Sequence, residues 1–353
     1  MGNKILPLVL MLAAPLLAAP QKVVFDTDIG NDCDDVMALQ MLLEYEKRGL
    51  GELLCIAVNK DNPFAPKFAR LICEYYGHPG IPVFAINGGF AKADGAFVRA
   101  TVEAKNPDGS PRFPLKNPDE KFEDSVRGLR RVLAAQPDNS VVYISVGFFT
   151  NIERLLKSQP DDISPLGGKE LVARKVKYFS IMAGGFVPDD FSGRRGDKVA
   201  PEYNVKIDIP SAKYVFENTP ANIVLSPFEV GLRLRFPYAS VMHDFHNAPE
   251  NPASFACHTY VYRIFKSTKN TAELDRYAWD LTSVLYAFEP QFFAISQFGD
   301  VKVDDKGVTH FAYNPSGKIR YLVLEYNPAT GNPHRARDIV NRLVELCKGS
   351  PKK

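Results

Sequence analysis

V-V-F-D-T-D-I-G-N-D-C-D-D-V-M-A-L, residues 23–39, joins a short apolar run to an amphipathic one through a turn carrying Asp26, Asp28, Asp32, Asp34 and Asp35. Residues 23–25 read as a buried strand. From Asp35 onwards Val36, Leu39, Leu42 and Leu43 recur at helical spacing until Gly49. Strand, acidic turn, helix is the opening unit of an α/β fold. Carboxylates packed this closely repel, and each holds its proton more tightly unless a positive charge sits among them. The turn therefore predicts a cation.

The same alternation continues outward from this unit. Strands are expected at 53–58, 81–85, 141–146, 176–182 and 223–225, with helices at 65–76, 125–134 and from Asn151. Such a pattern implies an α/β fold: an open, mostly parallel sheet with helices on both faces and a Rossmann-like core. Near the end, V-K-V-D-D-K-G-V-T-H-F and I-R-Y-L-V-L-E-Y flank N-P-S-G and read as a C-terminal β-hairpin. A last helix is expected over 338–347. Residues 93–121, rich in proline, read as a surface excursion, so 22–348 is expected to form a single domain.

With 353 residues, 45% of them hydrophobic, the chain can bury a real core. Lys+Arg (43) nearly balance Asp+Glu (41), with no long block of one sign, which argues against a nucleic-acid partner. Residues 1–19 place Lys4 before an apolar stretch ending in Ala18 and Ala19, the layout of a cleaved secretory signal. Pro7 and Pro15 interrupt it and it falls short of a bilayer span, so no membrane association is expected after cleavage. The expected location is periplasmic or extracellular. The five cysteines, Cys33, Cys55, Cys73, Cys257 and Cys347, are scattered without zinc-type spacing and read mostly as buried small hydrophobes.

Ligands of open parallel sheets bind beyond the carboxyl ends of the strands, which is where the acidic turn falls. Side chains alternate along extended chain, so Asp26 and Asp28 are expected on one side and Thr27 on the other. Asp34 and Asp35 open the following helix, whose free N–H groups favour carboxylates. An all-oxygen donor set suits a hard cation, Ca²⁺ or Mg²⁺. An EF-hand is excluded because Gly30 precedes most of the acids.

D-T-D-I-G-N-D-C-D-D-V-M-A-L resembles the N-terminal signature of the nucleoside hydrolases, D-x-D-x-G-x-D-D-x-x-A-L, with two extra residues before the last D-D. That longer spacing resembles a divergent, often exported, branch. Three further stretches match in order. V-G-F-F-T-N-I resembles the family's A-L-G-P-L-T-N segment and implies a calcium-binding carbonyl on Thr150. I-M-A-G-G-F followed by P-E-Y-N-V-K-I-D resembles the sugar-binding region and implies that Met182, Glu202 and Asn204 meet the ribose. R-Y-A-W-D-L-T-S-V-L-Y-A resembles the helix whose aspartate, here Asp280, completes the metal site.

The resemblance implies Ca²⁺-dependent hydrolysis of the N-glycosidic bond of a ribonucleoside. Calcium would be held by Asp28, Asp35, Thr150 and Asp280, with Asp28 as the base that takes a proton from water. Asp34 would accept from the ribose 2′-hydroxyl, and Asn62 would bind the sugar, with Asp61 or Asn59 as substitutes. Asp26 would support from behind, while Asp32 has no assigned role. Inosine-uridine hydrolases carry a histidine before the last aspartate; this chain has Trp279, its only tryptophan, which leans towards stacking on a purine, with packing in the core as the equal alternative. His243 and His258 are weaker candidates for the missing acid. A homodimer or homotetramer is left open. Two rival readings are a haloacid-dehalogenase-type phosphatase with Asp26 as nucleophile, supported by G-D-V-K-V-D at 299–304, and an exported calcium-dependent nucleoside- or sugar-binding protein without turnover.

Overall fold

The computed structural model describes residues 19–188, 199–248, 250–265, 274–325 and 335–352. The expected leader thus lies, but for Ala19, outside the described residues. In chain order the strands are β1 (Gln21–Thr27), β2 (Gly51–Lys60), β3 (Val83–Phe90), β4 (Glu123–Asp124), β5 (Val141–Ser145), β6 (Val176–Met182) and β7 (Ile223–Ser226). They are followed by β8 (Arg235–Phe236), β9 (Arg276–Tyr277), β10 (Ala294–Ile295), β11 (Gly299–Val303), β12 (Thr309–Tyr313) and β13 (Ile319–Val323). The helices are α1 (Asp34–Lys47), α2 (Phe64–Tyr75), α3 (Val98–Val102), α4 (Ser125–Ala134), α5 (Thr150–Lys157), α6 (Gly168–Lys175) and α7 (Tyr203–Ile207). Then come α8 (Ile209–Asn218), α9 (Phe228–Leu232), α10 (Tyr238–His243), α11 (Pro252–Phe265), α12 (Trp279–Phe288) and α13 (Ala336–Cys347).

The main sheet runs β12-β11-β13-β7-β6-β5-β1-β2-β3-β4, with β10 beside β13. From β13 through β7 to β4 every pairing is parallel. Successive side chains on a strand face opposite ways, and the two cores follow from that. Phe25, Val142 and Ile144 point into one core, shared with α1, α11, α12 and α13. Val24, Val141, Tyr143 and Phe179 point into the other, shared with α4, α5, α6 and α8. Both faces of the sheet are therefore covered, as a parallel sheet requires.

The chain end differs in detail from the hairpin expected around N-P-S-G. The antiparallel pair is β11 with β12, closed by 304–308 inside the first of the two segments. Asp304 makes that turn by accepting from Lys306 N and Val308 N (2.8 and 3.0 Å). N-P-S-G instead leads to β13, which passes β11 and adds in parallel to β7. The excursion at 93–121 contains α3, whose Val98 is buried.

Strand β1 sits between β2 and β5, so successive connections leave it in opposite directions across the sheet. That reversal opens a crevice at the carboxyl ends of β1 and β5. Two local features hold it open. Gly147, just after β5, lets that strand's end lie against β1: a Cβ there would stand 2.5 Å from Asp28 N and 2.6 Å from Asn59 Oδ1. Glu202 caps α7 with both carboxylate oxygens, accepting from Asn204 N (2.8 Å), Val205 N (3.1 Å) and Gly184 N (3.2 Å).

Gly147→Ala should therefore cost about 1–3 kcal/mol by overpacking, read as a lower denaturant midpoint with an unchanged slope. Glu202 yields a pH prediction. Burial pushes its carboxyl up to about 7 against the three N–H donors. The folded chain keeps a proton that the unfolded chain loses near pH ~4.3, so this contribution is complete below that value and is lost as pH rises through the folded pKa. In chelator-containing buffer, the unfolding free energy of Glu202→Gln should fall less than that of wild type between about pH 4.5 and 7.

Candidate active site

Asp34 and Asp35 form the first turn of α1, and Asp280 the first turn of α12. The two helix starts meet beyond the end of β1, where Asp280 N donates to Asp34 Oδ2 (3.2 Å). The three carboxylates are buried, with ligand atoms all within 4.8 Å of one another. Burial, and after it the neighbouring carboxylates, push all three well above the usual carboxylate range. Such a cluster is stable when ionised only if a cation shares its charge. Its donors are all oxygen, which fits a hard divalent ion.

Asp28 follows β1 and lines the same pocket, a cleft of about 760 Å³. Burial pushes its carboxyl up to about 6, opposed by the Asn31 amide and the Lys60 ammonium. Asn31 Nδ2 donates to Asp28 Oδ2, and Lys60 Nζ donates to Asn31 Oδ1 (2.6 Å). Asp28 is thus held from one side by a buried lysine acting through an amide. Thr27 does point away from Asp26, but it is not idle: its hydroxyl donates to Asp35 Oδ1.

Asp26 lies behind the pocket and does not line it. It accepts from Asn59 Nδ2 (2.7 Å), Tyr143 Oη (2.7 Å) and Asn151 Nδ2 (3.0 Å), and burial pushes it up to about 7. A carboxylate enclosed in this way cannot attack a substrate. The G-D-V-K-V-D stretch lies on β11, beyond β13 and β7 from β1, so the phosphatase reading lacks its site.

Met182, Glu202, Asn204 and Trp279 also line the pocket. Asn204 Nδ2 donates to Val146 O (3.1 Å) and Met182 O (3.2 Å), leaving its Oδ1 as the atom able to accept from a sugar hydroxyl. Trp279 Nε1 donates to Phe228 O (2.9 Å), and the two rings stack at 5.5 Å between centroids. Tyr277 lies at 4.7 Å from Trp279 on a tilted plane. Together they make an aromatic wall.

Two residues expected in the site are elsewhere. Thr150 opens α5 and does not line the pocket; its hydroxyl donates to Asp208 Oδ2 (2.6 Å), and its carbonyl is directed along the helix. Val146, at the end of β5, lines the pocket instead. Asn62 is the second correction. Its amide donates to Lys92 O and Asp94 Oδ1 (both 2.9 Å) and its Oδ1 accepts from Phe64 N, so it starts α2 and pins the 92–95 loop. Its substitutes Asp61 and Asn59 do not line the pocket either.

Among the described residues no histidine lines the pocket; the His258 ring meets Tyr238 Oη, and His243 ends α10. Sequence reasoning missed Asn31, Val146, Tyr260, Arg276 and Tyr277, all on the pocket wall. Asn31, Arg276 and Tyr277 stand inside motifs already quoted, whereas Tyr260, on α11, carries no local signal. Asp32, unassigned in the sequence, lies on the wall too and meets Arg276 Nη2 at 3.2 Å. All five cysteines are buried and free. No described helix is long and apolar enough to cross a membrane.

Comparison with known proteins adds the family. The profile of the inosine-uridine preferring nucleoside hydrolases matches residues 23–334. The chain is 22% identical over 288 residues to a probable uridine nucleosidase 2 of Oryza sativa subsp. japonica, covering 82% of this chain and 80% of that one. Its fold is similar to that of a purine-preferring ribonucleoside hydrolase from Gardnerella vaginalis (TM-score 0.67, 17% identity, 93% of this chain and 99% of the other). It is also similar to an inosine-uridine preferring nucleoside hydrolase from Bacillus anthracis (TM-score 0.62, 18% identity, 92% and 99%). A profile matched from β1 to beyond the last sheet strand, with the acidic cluster at its expected end of the sheet, makes this chain a member of the inosine-uridine preferring nucleoside hydrolase family, a nucleosidase acting on N-glycosyl compounds.

Proposed function

We propose that this chain hydrolyses ribonucleosides to ribose and free base with Ca²⁺ as its metal, favours purines, and works outside the cytoplasm. The observation that carries the reading is the trio Asp34, Asp35 and Asp280, buried and mutually repelling at the pocket floor. These carboxylates, with Asp28 and the Val146 carbonyl beside them, are the residues that would hold the ion. When bound, the ion supplies Lewis-acid polarisation of water and a template for the ribose diol.

The chain's own residues do the rest. Asp28, buried on the pocket wall, takes a proton from water; its partner Asn31 fixes the carboxylate's orientation. Asp34 and the Asn204 Oδ1 accept from ribose hydroxyls, and Glu202 can still accept through its remaining lone pairs. Met182 packs beneath the sugar. Trp279 and Phe228 offer a stacked apolar surface to a planar base, and the larger face of a purine gains more from it. The signal-like leader supports export.

Free ribose should appear when the protein is incubated with inosine, adenosine or guanosine and Ca²⁺, and more slowly with uridine. Chelation should abolish release and Ca²⁺ should restore it. Asp28→Asn should lower kcat by at least about 10²–10⁴-fold while nucleoside binding persists. Tight binding by the wild type with no ribose released would overturn the proposal.

A further inference from the structure

Breaking an N-glycosidic bond needs help for the leaving base. No described histidine lines the pocket, and the Trp279 N–H is committed to Phe228 O. On the same wall stands a residue of another kind. Arg276, from β9, lines the pocket with its side chain only 6% exposed. Its Nη2 lies 3.2 Å from Asp32 Oδ2, and its guanidinium carbon stands 5.1 Å from the centre of the Tyr260 ring and 5.9 Å from that of Tyr277. Tyr277 packs on Trp279, so the cation reaches from the acidic turn at Asp32 towards the aromatic wall.

Electrostatics restricts what this group can serve. A guanidinium stays charged at any working pH. Positive charge grows on the sugar as the bond breaks, while the departing base gathers the bonding electrons. A fixed cation beside the sugar ring would oppose the reaction; beside the base it assists. It needs no pKa matched to the medium, unlike a histidine, and its forked donors suit the ring nitrogens and carbonyl oxygens of a base.

Resting on the nucleosidase reading above, we propose that Arg276, held in place by Asp32, is the leaving-group residue of this enzyme. The C1′–N bond breaks and its electron pair passes to the base nitrogen. The oxygen of water bonds to C1′, and its proton goes to Asp28. The base departs as an anion hydrogen-bonded to the guanidinium and then takes a proton from solvent. Asp32, supplied by the lengthened acidic turn, acts as a positioning residue: it orients the fork without touching the reacting atoms.

The test compares two substrates on the intact protein: inosine, whose base leaves poorly, and p-nitrophenyl β-D-ribofuranoside, whose phenolate leaves unaided. Arg276→Met should lower kcat on inosine by about 10²–10³-fold and leave the p-nitrophenyl substrate within a few-fold. Arg276→Lys, which keeps the charge but loses the fork, and Asp32→Asn should show smaller losses with the same substrate bias. These two variants carry the comparison if the methionine variant does not fold. Equal losses on both substrates, or no loss on inosine, would overturn the proposal while leaving the nucleosidase reading intact. A wild type that cleaves neither substrate would instead overturn that reading.

Discussion

The structure depends on a conflict between burial and charge at the end of β1. Asp34, Asp35 and Asp280 are at most 4% exposed and crowd one another, and each holds its proton far above the ordinary range because of burial and neighbouring negative charge. Without a cation, burial and mutual repulsion favour the protonated acids, and a protonated carboxyl cannot take a proton from water. Everything around the cluster makes sense as a frame that holds these groups together despite their repulsion. The two helix starts supply N–H groups and partial positive charge, and Asp280 N donates directly to Asp34. Sheet topology brings the starts together by placing β1 at the point where connections reverse direction.

Behind the cluster the same logic recurs with neutral partners. Asp26 is tied to Asn59, Tyr143 and Asn151, which come from β2, β5 and α5, so one buried carboxylate stitches three elements to β1. Asn59 also spans the β5–α5 turn, donating to Phe148 O (3.1 Å) and accepting from Phe148 N (3.2 Å). Apart from the buried Asn151 Oδ1 the members of this network are satisfied, and it fixes one arrangement of the strands. The position of Asp28, two residues beyond Asp26, inherits that precision.

Much of this was legible in the sequence, for a physical reason. Strands and helices of a doubly covered parallel sheet carry strong local periodicity, so β6 and α4 lie at the expected 176–182 and 125–134. The acidic turn was legible because like charge at that density demands an explanation. What failed was the assignment of individual polar atoms. Val146 follows β5 and Thr150 opens α5, and only the three-dimensional path of the turn between them decides which residue faces the pocket. Asn62 was drawn into a local cap, a frequent fate of asparagine near a helix start. Tyr260 reaches the wall from α11, and tertiary placement of that kind leaves no trace in spacing. At the C-terminus, D-D-K-G and N-P-S-G are both good turns, and strand order, which no local pattern encodes, decided which one closes the hairpin.

The charges around the pocket also explain why the lengthened turn can carry one more acid. With Asp28, Asp34, Asp35 and Asp280 ionised, a bound divalent ion and the buried Lys60 ammonium leave about one net negative charge near the sugar, the sign that an oxocarbenium-like state requires. A fifth carboxylate alone would over-fill the site with negative charge and push proton affinities higher still. Asp32 does raise the carboxylates around it, but it arrives with Arg276, whose positive charge opposes that rise at Asp34. The pair is close to neutral as a whole but polar in direction, its negative end at the acidic turn and its positive end among Tyr260, Tyr277 and the aromatic wall. Two residues added to a turn thereby extend the site's charge separation, negative where the sugar becomes positive and positive where the base becomes negative. A preorganised field of that shape lowers the barrier without further movement of the protein during the reaction.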